Sequence, residues 1–261
     1  MRSLDIGATG MMAQQLNVDV ISNNIANMTT TGYKQRRAAF QDLLYQNLTR
    51  PGSTSSDSGT TVPTGLQVGL GVKTGAVYRM HGQGTVQITE NELDVAILGR
   101  GFFQVDLPDG TTAYTRDGTL QINENGEIVT VQGYSIAPTI SVPDNATGID
   151  INEEGEVIAS IQGQVATQNL GQFQMVDFVN PAGLEAIGNN MYLETDASGS
   201  ATTGIANQEQ FGRLQQGALE QSNVDVVSEI TELISAQRAY EMNSNVISTS
   251  DEMLQTVSQL R

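Results

Sequence analysis

Apolar residues recur at helical spacing at both ends of the chain, while the middle alternates with period two. Near the start, Leu4, Ala8, Met11, Val18 and Ile25 fall at steps of three, four or seven, with Ile6, Met12, Leu16 and Ile21 widening the stripe. This predicts an amphipathic helix. It gives way at Asn27, where Thr29, Thr30, Thr31 and Gly32 oppose helical propagation. Towards the end, Val226, Ile230, Leu233, Tyr240, Ile247 and Leu254 repeat in the same way, with Gln237, Ser244 and Asp251 at intervening seam positions. Ser222 and Asp225 have capping-box spacing and predict the start of this second helix. Its seam is polar enough to read either as a partner-selecting interface or as a partly exposed surface helix.

Residues 85–195 read as an antiparallel β domain. Phe102 to Leu107 and Gly118 to Ile122 alternate, and Asp109-Gly110, Asp117-Gly118 and Asn125-Gly126 supply turn signals. Ile122-Asn123-Glu124-Asn125-Gly126-Glu127-Ile128-Val129 echoes in Ile151-Asn152-Glu153-Glu154-Gly155-Glu156-Val157-Ile158, two hairpins related by duplication or by shared turn chemistry. Residues 33–48 fit a short helix or an extended arm. From Arg50 and Pro51 to Gly59 the composition is that of a linker, followed by Pro63, Gly65 and Leu66. The linker reads either as a disordered loop or as a segment ordered by a neighbouring subunit.

The expected fold class is therefore α+β, with long N- and C-terminal helices in a coiled-coil-like layer, an extended linker arm and a central antiparallel all-β domain. Residues 1–28 with 222–261 form the helical domain. The arm and linker span 29–84 and return through about 196–221. Neither helix buries its stripe alone, so the pattern points to a subunit that assembles with copies of itself.

Composition removes several alternatives. A formal net charge of -17, from 12 Lys+Arg against 29 Asp+Glu, opposes nucleic-acid or anionic-membrane binding. No apolar run reaches the ~20 residues of a membrane helix. A continuous signal-peptide core is interrupted by Asp5, Gln14, Gln15, Asn17 and Asp19. With no cysteine, disulfides and thiolate chemistry are excluded. His81 is the sole histidine, so a histidine metal cluster is impossible and a triad would depend on this one residue. Near Gly65 to Thr74, Val72 displaces Lys73 from the position a phosphate loop requires. Asp150, Asn152, Glu154 and Gly155 resemble a calcium loop, but Ile161 stands where it needs a bidentate Glu, which favours a plain turn. No catalytic, cofactor or metal site is expected.

The residues also carry a resemblance. Ser22-Asn23-Asn24-Ile25-Ala26-Asn27, continuing to Lys34, resembles the opening signature of bacterial flagellar rod and hook proteins, and Gln237-Arg238-Ala239-Tyr240-Glu241 resembles its C-terminal counterpart. Residues 40–46, 65–72, 101–103, 113–118 and 183–185 are similar to the distal rod branch of that family. Ile25, Met28 and Tyr33 depart from the family pattern but keep apolar bulk. The resemblance implies a straight drive shaft that self-assembles helically, transmits torque and encloses the export channel. The implied partners are further copies, proximal rod and hook proteins, outer ring bushings and the export apparatus. The implied location is the basal body, across the periplasm and outer envelope, reached without a cleaved signal. It also makes Leu4, Met11, Val18, Asn23, Asn24, Ile25, Asn27, Val226, Ile230, Leu233, Gln237, Tyr240, Ile247 and Leu254 the expected assembly interface. Tyr45, Arg50, Pro51, Pro63, Gly65 and Leu66 become a stiffening segment. The alternatives are another axial protein of the flagellum, or a glycan-binding β domain anchored by helices.

Overall fold

A computed structural model describes residues 2–49, 64–163, 166–208 and 210–259. The chain divides into two compact units, one from residues 1–25, 36–78 and 225–261, the other from 26–35 and 79–224. Two long helices and a mostly antiparallel β domain give the α+β class predicted from periodicity.

The first unit contains α1 (Arg2–Ala26) and α2 (Val226–Gln259) with two small antiparallel pairings. The open choice over residues 33–48 is settled as extended: Arg36–Asp42 pairs with Val72–Arg79, and Tyr45–Thr49 with Leu66–Gly69. Gly65 directly precedes that last strand, so the glycine-rich stretch there is one side of a hairpin. Arg50, Pro51 and Pro63 lie outside the described residues. The predicted capping box is corrected. Ser222 accepts a hydrogen bond from the Val224 N–H at 3.3 Å, and it is Asp225 that caps α2, accepting from the Val227 N–H at 3.2 Å and the Ser228 hydroxyl at 2.6 Å. A carboxylate at the N-cap satisfies orphan donors and complements the helix dipole. Those hydrogen bonds, the Ser228 hydroxyl foremost, hold the Asp225 carboxyl below its usual range.

The second unit is organised around Phe102–Asp106, which pairs with Thr112–Thr115 on one side and with Gln174–Asp177 and Ser135–Ile136 on the other. Successive side chains of a strand point to opposite faces. Phe103 and Val105 therefore enter a core with Ile97, Leu120, Ile128, Phe173, Met175 and Leu214, whereas Phe102 joins Tyr114, Val176, Phe178, Leu184 and Tyr192 on the other side. The chain after residue 195 adds strands to the same unit: Thr202–Ile205 beside Gln174–Asp177, Arg213–Gln216 beside Val95–Leu98, and Ala218–Glu220 beside Val86–Ile88.

The sequence echo proves to be a shared local structure. Asn123 Oδ1 accepts from the Asn125 and Glu127 N–H groups at 2.9 and 2.8 Å; Asn152 Oδ1 accepts from Glu154 and Glu156 at 3.1 and 2.8 Å. Gly126 and Gly155 both take the left-handed conformation, at φ of 80° and 83°, that closes the turn. Likeness continues beyond the hairpin, since the Val142 and Phe173 N–H groups donate to the Gly126 and Gly155 carbonyls. Asn152 thus serves a turn, as its failed calcium spacing suggested. Asp109-Gly110 also turns a hairpin, with the Gly110 N–H donating to the Leu107 carbonyl at 3.0 Å. Asp117-Gly118 does not: the Val95 N–H donates to the Gly118 carbonyl at 3.0 Å, and a Cβ at 118 would lie 1.7 Å from the Val95 oxygen. The glycine is there for close approach between strands.

A buried ionic cluster ties this unit together. Glu220 Oε1 accepts from Lys34 Nζ at 2.7 Å and the Gly84 N–H at 2.8 Å, while its Oε2 accepts from Arg116 Nε at 2.7 Å. The side chains of Lys34, Arg116 and Glu220 are at most 5% exposed. Lys34 also donates to the Gly82 carbonyl, and Arg116 Nη1 to that of Gly101, both at 2.8 Å. Burial alone would raise the Glu220 pKa, but Arg116 and Lys34 outweigh it and hold the carboxyl below its usual range. Lys34 sits below its ordinary value because burial and Arg116 together exceed the pull of Glu220. His81 stands edge-on to Phe102 and Tyr192, with ring centroids 5.9 and 6.1 Å away. Burial first, then the charges of Lys34, Arg79 and Arg116, push its pKa down to about 4.

The folded His81 therefore resists a proton that the unfolded chain accepts near its ordinary 6.5. Between these values the unfolded state binds more protons, and stability falls on acidification by at most about 1.4 kcal/mol per pH unit for one such group. The Glu220 contribution, full above 4.5, is lost at still lower pH as the depressed carboxyl protonates. Melting temperature measured against pH should decline between 6.5 and 4, and His81→Phe should flatten that limb; an unchanged limb contradicts the assignment. Glu220→Ala, which strands two buried cations, should cost about 3–5 kcal/mol in denaturant unfolding at neutral pH.

Candidate assembly interface

The two helices are antiparallel. As α1 positions fall from Asn24 through Gly10 to Gly7, their α2 partners rise from Glu229 through Asn243 to Ile247. Glycine permits the approach: a Cβ on Gly7 would lie 2.9 Å from Ile247 Cγ1, and one on Gly10 would lie 2.8 Å from Asn243 Nδ2. Ala13, Val20, Ile21 and Asn24 complete the buried side of α1.

At the end of α1 nearest the β-structured arm, Asn24 acts as a clamp. Its Nδ2 donates to the Arg36 carbonyl at 2.8 Å and to the Glu229 carboxylate at 3.3 Å, while its Oδ1 accepts from the Arg36 N–H at 2.9 Å. One amide side chain thereby imitates a strand partner for Arg36 and joins it to α2. Asn24 and Glu229 are 1% and 2% exposed, so their polar atoms must be satisfied within the protein.

The seam stripe of α2 follows an alternation of threes and fours through Val226, Glu229, Leu233, Ala236, Tyr240, Asn243, Ile247, Ser250 and Leu254, all but the exposed Tyr240 at least half-buried. Every second member is thus charged, small or polar. This corrects the expected intervening positions, which the structure places one residue earlier: Glu229, Ala236 and Ser250 are buried and Asn243 half-buried, whereas Ile230, Gln237, Ser244 and Asp251 are exposed. The apolar Ile230 misdirects the sequence reading; Gly7 and Gly10 make room on α1 for Ile247 and Asn243 of α2.

The other expected residues distribute as follows. Leu4, Met11, Val18 and Ile25 are half-buried on α1, as are Val226, Leu233, Ile247 and Leu254 on α2. Asn23 is exposed; Asn27 belongs to the other unit, where its carbonyl accepts from the Thr30 N–H at 3.2 Å. Tyr240, 43% exposed, lines an open groove with Gln15, Val18, Gln237 and Glu241. Tyr45 and Leu66 are exposed on their hairpin, beside Leu44 and Leu48. Unanticipated by the sequence reading were Gly7, Gly10, Ala236, Asn243 and Ser250, whose signal is the regular spacing of small residues.

Much apolar surface remains uncovered on α2. At 100° per residue, Val227, Ile230 and Ile234 lie about a quarter turn to one side of the seam, and Met242, Val246 and Met253 about a quarter turn to the other. All six are exposed, Val227 by 74% and Met242 by 61%. One flank occupies the first half of the helix and the opposite flank the second half. Among the described residues no group of acidic or histidine side chains could hold a metal, and no helix is long and apolar enough to cross a membrane.

Because two glycines set the helix spacing, Gly7→Leu should force the helices apart and cost about 1–3 kcal/mol. Thermal melting followed at 222 nm checks this, and a variant as stable as the parent contradicts it.

Comparison with known proteins agrees with this division of labour. Residues 4–34 match the family model described as flagella basal body rod protein, residues 96–159 that of the flagellar hook protein FlgE/F/G D1 domain, and residues 215–260 that of the flagellar basal body rod FlgEFG protein C-terminal. The chain is 57% identical to the flagellar basal-body rod protein FlgG of Caulobacter vibrioides, with both chains covered completely. It is 49% identical to the FlgG of Agrobacterium fabrum, over 99% of this chain and 98% of that one, and 40% identical to the FlgG of Bacillus subtilis, over 100% and 99%. A helix pair that leaves apolar flanks uncovered, joined to a β unit and matched end to end by these relatives, belongs to the flagellar basal-body rod protein family and is a structural subunit of the distal rod.

Proposed function

We propose that α1 and α2 form the wall of a tube that encloses the export channel, with copies of the chain joined in a helical homopolymer that carries torque from motor to hook. The observation supporting this is the pair of uncovered flanks on α2, apolar on opposite sides and in opposite halves. A single exposed flank would be satisfied by a two-fold dimer. Two unlike flanks instead favour a head-to-tail contact, in which one flank of each copy meets the other flank of the next and the chain of contacts does not close.

The flanks centre near residues 230 and 247, so parallel neighbours that match them are offset along the axis by about 25 Å, at 1.5 Å per residue. In a coiled-coil-like layer of this kind the polar seam members Glu229, Asn243 and Ser250 fix the register of the helices within a copy. The apolar flanks supply the association. Hook and proximal rod proteins, carrying related helices, would continue the same packing at the two ends, and ring bushings would surround it.

The hairpin Tyr45–Thr49 with Leu66–Gly69 fits the role of a stiffening arm. Its exposed Leu44, Tyr45, Leu48 and Leu66 are apolar side chains available to a neighbouring copy. An arm gripping a second subunit resists the sliding that bending requires.

Concentrated protein should form tubes with a central bore by electron microscopy. The chain has no cysteine of its own, so a copy carrying Ile230→Cys and Val246→Cys should form intermolecular disulfides in tubes and none in dilute monomer. Cross-linking absent from tubes contradicts the offset. Deleting residues 46–68 should yield curved or flexible tubes; straight ones would remove the stiffening role.

A further inference from the structure

Methionine is the only sulfur-bearing residue in this chain, which has nine of them with no cysteine and no tryptophan. Their placement is uneven. Met175 and Met191 are sealed in the β unit at 0% and 2% exposure, whereas Met12, Met242 and Met253 project from the helices at 70%, 61% and 61%. Met242 and Met253 make up most of one apolar flank of α2. Leucine or isoleucine would supply equal apolar area there, and the first half of α2 does use Val227, Ile230 and Ile234.

We propose that Met242 and Met253 on the α2 flank, with Met12 exposed on α1, are oxidation-sensitive positions whose sulfoxides keep the subunit unassembled until they are reduced. This rests on the reading of the helix flanks as the assembly surface. A thioether is apolar and flexible, and its sulfoxide is polar, with a strong acceptor that an apolar contact leaves unsatisfied. With a peroxide as oxidant, an S–O bond forms as the O–O bond breaks. The sulfur loses two electrons, and the remaining hydroxyl leaves as water with the proton of the transferred oxygen. A dithiol-dependent sulfoxide reductase reverses the change, the sulfoxide oxygen leaving as water while the dithiol becomes a disulfide. Sulfurs already packed between copies are screened from oxidant, so the device acts on the free subunit and spares the finished polymer.

The test uses full-length monomer treated with hydrogen peroxide, sulfoxides located by peptide mass spectrometry and assembled protein quantified by sedimentation. Treatment should lower the sedimenting fraction at least tenfold, and methionine sulfoxide reductase with dithiothreitol should restore it. The triple variant Met12→Leu, Met242→Leu, Met253→Leu should assemble within twofold of the untreated parent after the same treatment. Single Met242→Leu and Met253→Leu variants should each recover part of that resistance. Met28→Leu with Met80→Leu, both in the β unit, should remain sensitive. The inference is overturned if the triple variant is inhibited as strongly as the parent, or if protein sulfoxidised at all three positions assembles normally. Footprinting of untreated tubes separates the two readings. If Met242 and Met253 are shielded in tubes yet oxidation does not slow assembly, the oxidative control alone fails; if they react as readily as in monomer, the assembly surface fails with it.

Discussion

The close antiparallel approach of α1 and α2 governs what the rest of the helical unit can do. Gly7 and Gly10 let Ile247 and Asn243 approach α1 closely, the seam also takes the small Ala236 and Ser250, and Glu229 is held there with its carboxylate meeting Asn24. At roughly 25 cal/mol per Å² of apolar area, the small and polar members of this seam contribute less stability than large apolar ones would. The bulky residues are displaced to the flanks. The features that weaken the single molecule thus equip it to pack against copies of itself.

The β unit follows the opposite strategy. Phe102 and Phe103 anchor separate apolar clusters on the two faces of one sheet, and Glu220 gathers Lys34, Arg116 and the Gly84 N–H in its interior. Buried ion pairs seldom add stability over well-packed apolar groups, yet losing one partner is costly, which makes them effective at fixing a single arrangement of segments distant in sequence. Residues 34, 84, 116 and 220 are held in this way in one small volume. On the proposed reading, the β unit would keep its shape under load while the helix pair would finish folding in the polymer.

Much of this was legible in the sequence because periodicity is a direct record of burial. The terminal helices, the β-alternation from Phe102 onward and the Asn125-Gly126 turn follow local rules that the structure obeys. What stayed hidden depends on distance between segments far apart in the chain. A helical period reports that one face is covered without telling which side of Leu233 is covered more closely, so exposed Ile230 was favoured over buried Glu229. Glu220 resembles any other acidic residue of an acidic chain until the fold brings Lys34 and Arg116 to it. Asp117-Gly118 shows the same limit, since its glycine answers the backbone of Val95 and not its own turn.

On the proposed reading, the helix pair is only part of a folded core that identical neighbours complete. Amide hydrogen exchange along residues 226–259, compared between dilute monomer and assembled tubes, tests this most directly. These amides should exchange far faster than those of Phe102–Asp106 in the monomer and gain at least a hundredfold protection in tubes, in both halves of the helix. Equal, strong protection of α2 in the monomer, unchanged by assembly, would contradict it.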